Sequence, residues 1–201
     1  MTLAPAAAAR SSKDAAARPL EMAQLRPSTA IEGIYIAELQ SHGDERGRFT
    51  EVYRKEWFPQ RGWDALQWSR SESQQGVLRG LHYHHCQVDY WHCGMGALRV
   101  GLLDLRRSSP TRGQGQVIEL DQEVLRGVFI PAGVAHGFYA VTDAMLFYLV
   151  DSYYDGTDEW GVAWDDPDAG LDWGIEGVPI LSPRDQNNPR LRDIPAEDLP
   201  N

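Results

Sequence analysis

Short stretches in which apolar and polar positions alternate, or in which apolar residues run together for six to nine positions, recur along the chain beyond residue 31. They read 34–39 (IYIAEL), 48–54 (RFTEVYR), 76–84 (GVLRGLHYH), 97–105 (ALRVGLLDL), 115–120 (GQVIEL), 127–133 (GVFIPAG) and 145–154 (MLFYLVDSYY). Each is rich in Val, Ile, Leu, Tyr or Phe, and clusters of Gly, Pro, Asp or Ser separate them, so each is expected to be a strand. Within 97–105, Leu98, Val100 and Leu102 share one face, as a two-residue period requires. Seven or more short strands at this spacing predict an all-β sandwich or barrel rather than βαβ units. A short helix is expected around 56–58. The tail over 173–201, rich in Pro, Asp and Asn, is expected to wrap the body as loop and short helix. No internal repeat is visible.

Residues 1–18, MTLAPAAAARSSKDAAAR, break this pattern. A secretory signal needs an apolar stretch of ~7–15 residues after a basic start. Here Pro5 interrupts a short alanine run and the basic residues follow it. The segment is expected to be a disordered arm in preference to a short helix capped by Ser11 or Ser12. Residues 19–201 are then one domain. With 29 Asp+Glu against 19 Lys+Arg the net charge is −10, which argues against a nucleic-acid partner. No apolar run approaches the ~20 residues that span a bilayer. Cys86 and Cys93 are the two cysteines. They cannot form a disulfide framework and have no zinc-finger partners, so a reducing compartment, the cytoplasm, is expected.

Two motifs carry candidate chemistry. In 129–138, FIPAGVAHGF, Pro131 and Gly133 make a tight turn after an apolar strand, and His136 opens the next strand. His136 could face a pocket or be a satisfied core residue. About 50 residues upstream lies Arg79-Gly80-Leu81-His82. With the blocks 44–54 (DERGRFTEVYR), 67–73 (QWSRSES), 104–115 (DLRRSSPTRGQG), 148–155 (YLVDSYYD), 164–167 (WDDP) and 181–191 (LSPRDQNNPRL), the chain resembles the dTDP-4-dehydrorhamnose 3,5-epimerase family of cupins over roughly residues 31–191. Any one block is weak; eight in the family's order are specific.

The resemblance implies a cupin-type jelly roll, a β-sandwich barrel with short peripheral helices. It implies cofactor-independent epimerisation of a nucleotide-diphospho-4-keto-6-deoxy sugar at one or two centres, and a homodimer formed by strand exchange. The carbons flanking the keto group carry acidic protons, so inversion needs a base on one face, an acid on the other and a group that holds the enolate charge. By resemblance His82 is the base, Asp185 orients it, Tyr148 is the acid and Tyr154 is a second active-site tyrosine. Arg46, Arg79 and Arg184 are expected at the diphosphate, where planar cations serve well. Phe49 and Glu51 are expected at the nucleoside, and His136 at the substrate.

Two departures from the family pattern stand out. The family's enolate-neutralising Lys aligns with Asp89, and the Asp that pairs with that Lys aligns with Val100. The loss is paired, as in a rebuilt site. The rebuilt segment also creates His82-x-His84, then Asp89, then Gly96, with His136 later: the spacing of a metal-binding cupin with Asp for the usual Glu. Strand geometry puts His82 and His84 on one face, and three imidazoles with a carboxylate suit Fe, Mn, Ni or Zn. A metal-dependent cupin enzyme using these four residues is therefore an alternative reading. A catalytically silent nucleotide-sugar-binding homologue is another. The plainest reading of Asp89 is a polar residue satisfied by His84 or His92. Trp91, on the strand face of Asp89, is expected to line the pocket.

Overall fold

The structure, a computed structural model, describes residues 23–201; the arm expected over 1–18 lies outside the described residues. In chain order the strands are β1 (Ala23–Pro27), β2 (Tyr35–Leu39), β3 (Ser41–Asp44), β4 (Gly47–Thr50), β5 (Gln67–Ser73), β6 (Leu78–Tyr83), β7 (Asp89–Met95), β8 (Ala97–Asp104), β9 (Gly115–Asp121), β10 (Arg126–Ile130), β11 (Val134–Ala140), β12 (Ala144–Val150) and β13 (Trp160–Gly161). One sheet runs β1-β2-β10-β7-β12-β5 and the other β13-β6-β11-β8-β9. β3 and β4 pair only with each other, as a hairpin. Strand pairing within these sheets is antiparallel, and the two sheets enclose the core as a β-sandwich of cupin jelly-roll type. Among the described residues no helix is long and apolar enough to cross a membrane.

Trp91 and Cys93 of β7, Leu98, Val100 and Leu102 of β8, and Phe138 of β11 meet between the sheets. Burying each of the aliphatic side chains among them removes enough apolar surface to contribute about 1.5–3 kcal/mol. Each outer face is also covered in part. Phe58, from the segment after β4, stacks on Phe129 with ring centroids 4.6 Å apart. On the other sheet the tail lays Val162, Ala169, Trp173 and Leu199 over Leu81, Leu103 and Ala135. Gly101 makes room for Trp173, whose ring would lie 2.3 Å from any Cβ at that position. Strands covered on both faces read as apolar runs, which explains why Leu102 and Leu103 are both fully buried.

Several expected boundaries shift. The strand expected over 48–54 stops at Thr50, and the one over 145–154 stops at Val150. The short helix is a single 3-10 turn, Lys55–Trp57. The tail is loop with 3-10 turns, as expected.

The block 104–115 proves structural. The fully buried Asp104 carboxylate accepts Nε and NH2 of Arg106, each at 2.8 Å, and the hydroxyls of Ser109 at 2.6 Å and Thr111 at 2.7 Å. Burial alone would raise its pKa, but these donors bring it below the ordinary carboxylate value. Its contribution is therefore present above the unfolded pKa near 3.9 and is lost as pH falls through the lower folded value. Asp104→Ala strands the Arg106 guanidinium and is expected to cost about 3–5 kcal/mol. Urea unfolding at neutral pH measures this, and the deficit should shrink in acid.

Candidate active site

β6 and β11 approach closely because each presents a glycine where they meet. A Cβ on Gly80 would sit 2.7 Å from the Gly137 Cα, and a Cβ on Gly137 would sit 2.5 Å from the Arg79 carbonyl oxygen. Gly80 also has φ +115, which L side chains rarely adopt. The register shifts here: His136 pairs with His82, but Phe138 pairs with Arg79. β6 thus carries one extra residue, a bulge that turns Arg79 and His82, three positions apart, toward the same side.

That side is a cleft of about 450 Å³ between the sheets. One wall is Arg79, His82 and His84 from the β6 segment with His136 and Phe138 of β11. The other is Gln67 of β5, Asp89 and Trp91 of β7, and Leu146, Tyr148 and Val150 of β12. Tyr154 and Glu159 stand at the rim.

His82 Nε2 lies 2.6 Å from Asp185 Oδ1, although the two residues are 103 positions apart. Asp185 is buried, and the Ser182 hydroxyl donates to its Oδ2 at 2.9 Å. Burial pushes its pKa up, but hydrogen bonds from His82, Ser182 and the Gly80 N–H outweigh this and hold it below the usual carboxylate range. An ionised Asp185 accepts only, so the proton between the pair belongs to Nε2. Nδ1 of His82 is then the basic nitrogen.

A second group lies deeper. His84, Asp89 and His136 are all buried, and their potential ligand atoms lie within 4.8 Å of one another. The His84 Nδ1–H donates to the Asp158 carbonyl, and the His136 Nδ1–H to the Val134 carbonyl at 3.0 Å. Asp89 accepts from Gln87 Nε2 and from Trp91 Nε1, both at 3.0 Å. Burial pushes the His136 pKa below the ordinary histidine value, opposed by the Asp89 carboxylate.

Of the residues expected at the site, His82, Tyr148, Tyr154, Arg79 and His136 line the cleft, and Asp185 stands behind His82. Arg79 is held by Ser73 and the Glu72 carbonyl. Arg184 is not in the lining but bonds Glu159, which is, at 2.8 Å. Arg46, Phe49 and Glu51 lie outside the lining of their own chain's cleft: Arg46 pairs with Asp44, Glu51 with Arg54, and Phe49 is 64% exposed on the β3–β4 hairpin. The hairpin pairs only with itself. Two other expectations need correction. The four-residue metal constellation loses His82, which is not among the groups whose ligand atoms converge within 4.8 Å; those are His84, Asp89 and His136. Asp89 is satisfied by Gln87 and Trp91 rather than by His84 or His92; His92 lies on the opposite face of β7, bonded to the Arg126 carbonyl. Supporting residues that sequence reasoning passed over are Ser182, Gln87 and Asp158. Only Ser182 carried a signal, through its S-x-x-D spacing to Asp185.

The chain matches the family described as dTDP-4-dehydrorhamnose 3,5-epimerase over residues 28–193. A dTDP-4-dehydrorhamnose 3,5-epimerase of Methanothermobacter thermautotrophicus is 36% identical over 175 residues, 84% of this chain and 95% of that protein. A dTDP-4-dehydro-6-deoxyglucose 3-epimerase of Streptomyces bikiniensis is 37% identical over 169 residues, 81% of this chain and 86% of that one. The solved structure of the dTDP-6-deoxy-D-glucose-3,5-epimerase of Legionella pneumophila, in complex with dTDP-4-keto-L-rhamnose, superposes with a TM-score of 0.82 at 33% identity. It covers 89% of this chain and 97% of that one.

The His82–Asp185 pair generates a prediction that needs no substrate. Nitrogen-15 NMR at neutral pH should find the neutral His82 ring in the Nε2–H tautomer. Asp185→Asn should let the two tautomers mix, because an amide can donate as well as accept. A wild-type ring protonated mainly on Nδ1 contradicts the assignment.

Proposed function

The chain belongs to the dTDP-4-dehydrorhamnose 3,5-epimerase family, and from that premise we propose that its cleft epimerises a dTDP-linked 4-keto-6-deoxy sugar with His82 as base and Tyr148 as acid. The observation that carries this reading is the placement of the two groups on opposing walls, His82 on β6 of one sheet and Tyr148 on β12 of the other. A sugar ring between them offers one face of the carbon beside its carbonyl to each. His82 Nδ1 takes that carbon's proton. The C–H electron pair moves into the enolate, and the new imidazolium is stabilised by Asp185. Tyr148 then gives its hydroxyl proton to the same carbon from the opposite face, and the centre is inverted. Solvent returns the protons to the tyrosine and removes the one on His82.

Arg79, at the cleft, fits the diphosphate, and Arg184 reaches the same rim through Glu159. Tyr154 closes that rim. The reading includes a homodimer. The outer face of the six-stranded sheet bears an apolar groove of about 520 Å³ lined by Leu66, Trp68, Tyr90, Phe147 and neighbours, and Trp68 is 66% exposed. Such a face favours cover by a second copy. The exposed hairpin bearing Arg46 and Phe49, with Glu51 just beyond it, would then serve the partner's cleft. Cys86 and Cys93, both free thiols, support a cytoplasmic setting.

Two tests follow. In deuterated buffer with a dTDP-4-keto-6-deoxyglucose substrate, the protein should wash deuterium into the sugar beside the carbonyl. His82→Asn should abolish this, and Asp185→Asn should cost a large but smaller factor. Tyr148→Phe should still exchange while losing ~10²–10⁴-fold in epimer yield. Full epimer yield from Tyr148→Phe would pass the acid role to Tyr154 or water; no exchange at all by wild type would leave only a nucleotide-sugar binder. For the dimer, inactive His82→Asn chains are refolded with chains carrying both Arg46→Ala and Phe49→Ala. Each mixed dimer then holds one intact site, so about one quarter of wild-type activity should return. No recovery means the hairpin serves its own chain.

A further inference from the structure

We propose that His84, Asp89 and His136 form a binding site for one divalent transition cation, of the class of Zn²⁺, Co²⁺, Ni²⁺ or Fe²⁺, with an open coordination position toward the sugar. Three observations point there. First, the ligand atoms already converge: all lie within 4.8 Å of one another, and His136 Nε2 is 3.8 Å from Asp89 Oδ2. Ligands of a tetrahedral ion with bonds of ~2.0–2.2 Å stand about 3.3–3.6 Å apart, so small side-chain rotations close the site.

Second, the imidazoles are prepared as ligands. Each gives its Nδ1–H to a backbone carbonyl, His84 to Asp158 and His136 to Val134. In the neutral ring this leaves the Nε2 lone pair as the free one, which is the outer arrangement metal-binding histidines use. The Asp89 carboxylate is oriented in turn by Gln87 and Trp91. The free ring nitrogens and the carboxylate are then the groups left to meet a cation.

Third, the local charge is wrong for the reaction without a cation. Asp89, 3% exposed, takes its hydrogen bonds from the neutral groups of Gln87 and Trp91, and it lines the cleft in which an enolate must form. Two like charges in a water-poor site repel strongly. A divalent ion changes the group from −1 to +1. With three protein ligands it keeps a position for the enolate oxygen, as catalytic sites of this type do. This last role rests on the epimerase reading above; the binding site itself does not. No electron is transferred: the ion only accepts an oxygen lone pair while the proton passes to His82.

The test separates the two. Chelator-treated full-length protein is titrated with Co²⁺, read by its visible absorption bands and by bound metal per chain. One ion per chain is expected. Asp89→Asn and His84→Gln should each weaken binding at least ~10²-fold, the upper end of what losing a mere outer partner costs. His82→Asn should bind Co²⁺ like wild type, because His82 lies outside the converging group of His84, Asp89 and His136. Near-UV circular dichroism identifies any variant that misfolds, and the remaining one then decides. The proposal is overturned if wild type binds no stoichiometric Co²⁺ or Zn²⁺, if both correctly folded ligand variants bind as well as wild type, or if His82→Asn loses binding too. Deuterium exchange by the metal-free form should be at least ~10²-fold slower than by the loaded form. Equal rates with and without metal overturn the catalytic role. Exchange by neither form, with binding intact, would defeat the epimerase reading and leave the metal site standing.

Discussion

The contact between Gly80 and Gly137 governs everything the cleft can do. Two strands cannot approach this closely if either carries a side chain at the contact, and the bulge beside it is what aims Arg79 and His82 in one direction. Without the bulge, residues three apart on a strand face opposite ways. One glycine pair thus sets the Arg79 guanidinium and the His82 imidazole on the same wall. It also sets His82 opposite His136 in register, so the dyad and the deeper cluster share a single piece of backbone.

Strands were legible where apolar runs met turn residues, as in β2, β8, β9 and β12. β5 escaped as a strand, and β7 was legible only through the shared strand face of Asp89 and Trp91. QWSRSES has little apolar residue to alternate, and it is a sheet edge whose order comes from pairing with β12. DYWHCGM is buried over its first five residues on both faces, so its polar members break any period. Tyr90 faces the outer cluster while Trp91 faces the core, and both positions look alike in one dimension. The partnership of His82 with Asp185 had no local signal, since nothing links residues 103 positions apart. Resemblance supplied that pairing, and the geometry supplied its sense: which nitrogen holds the proton, and why. Resemblance alone also set Arg46, Phe49 and Glu51 at the substrate; within one chain they stand on an exposed hairpin and just beyond it, outside the cleft lining.

Cation supply is the tightest constraint in this acidic chain. It has two lysines, Lys13 and Lys55, so its positive charge is almost wholly arginine. Arginine remains charged and binds diphosphate in a planar, two-pronged way. It suits the rim, where Arg79 and Arg184 sit. Deeper in the cleft stands Asp89 of β7, a carboxylate whose hydrogen bonds come from the neutral groups of Gln87 and Trp91.

Proton transfer and charge stabilisation are therefore separable in this cleft. On the proposed reading, His82 and Tyr148 supply base and acid from opposing sheets and Asp185, from a 3-10 turn of the tail, orients the base; none of these depends on Asp89. What Asp89 changes is the energy of the anion between the two transfers. Losing one well-placed donor to such an anion costs ~3–4 kcal/mol, or ~10²–10³ in rate. An added carboxylate deepens that cost, unless its charge is spent on something else. Gln87, Trp91 and the two backbone-tethered imidazoles hold it where it could be spent. A carboxylate left over from a lost ion pair would drift toward solvent or be replaced by a neutral side chain. One kept buried, doubly hydrogen-bonded and beside two histidine ring nitrogens is arranged for a positive charge that none of these side chains provides.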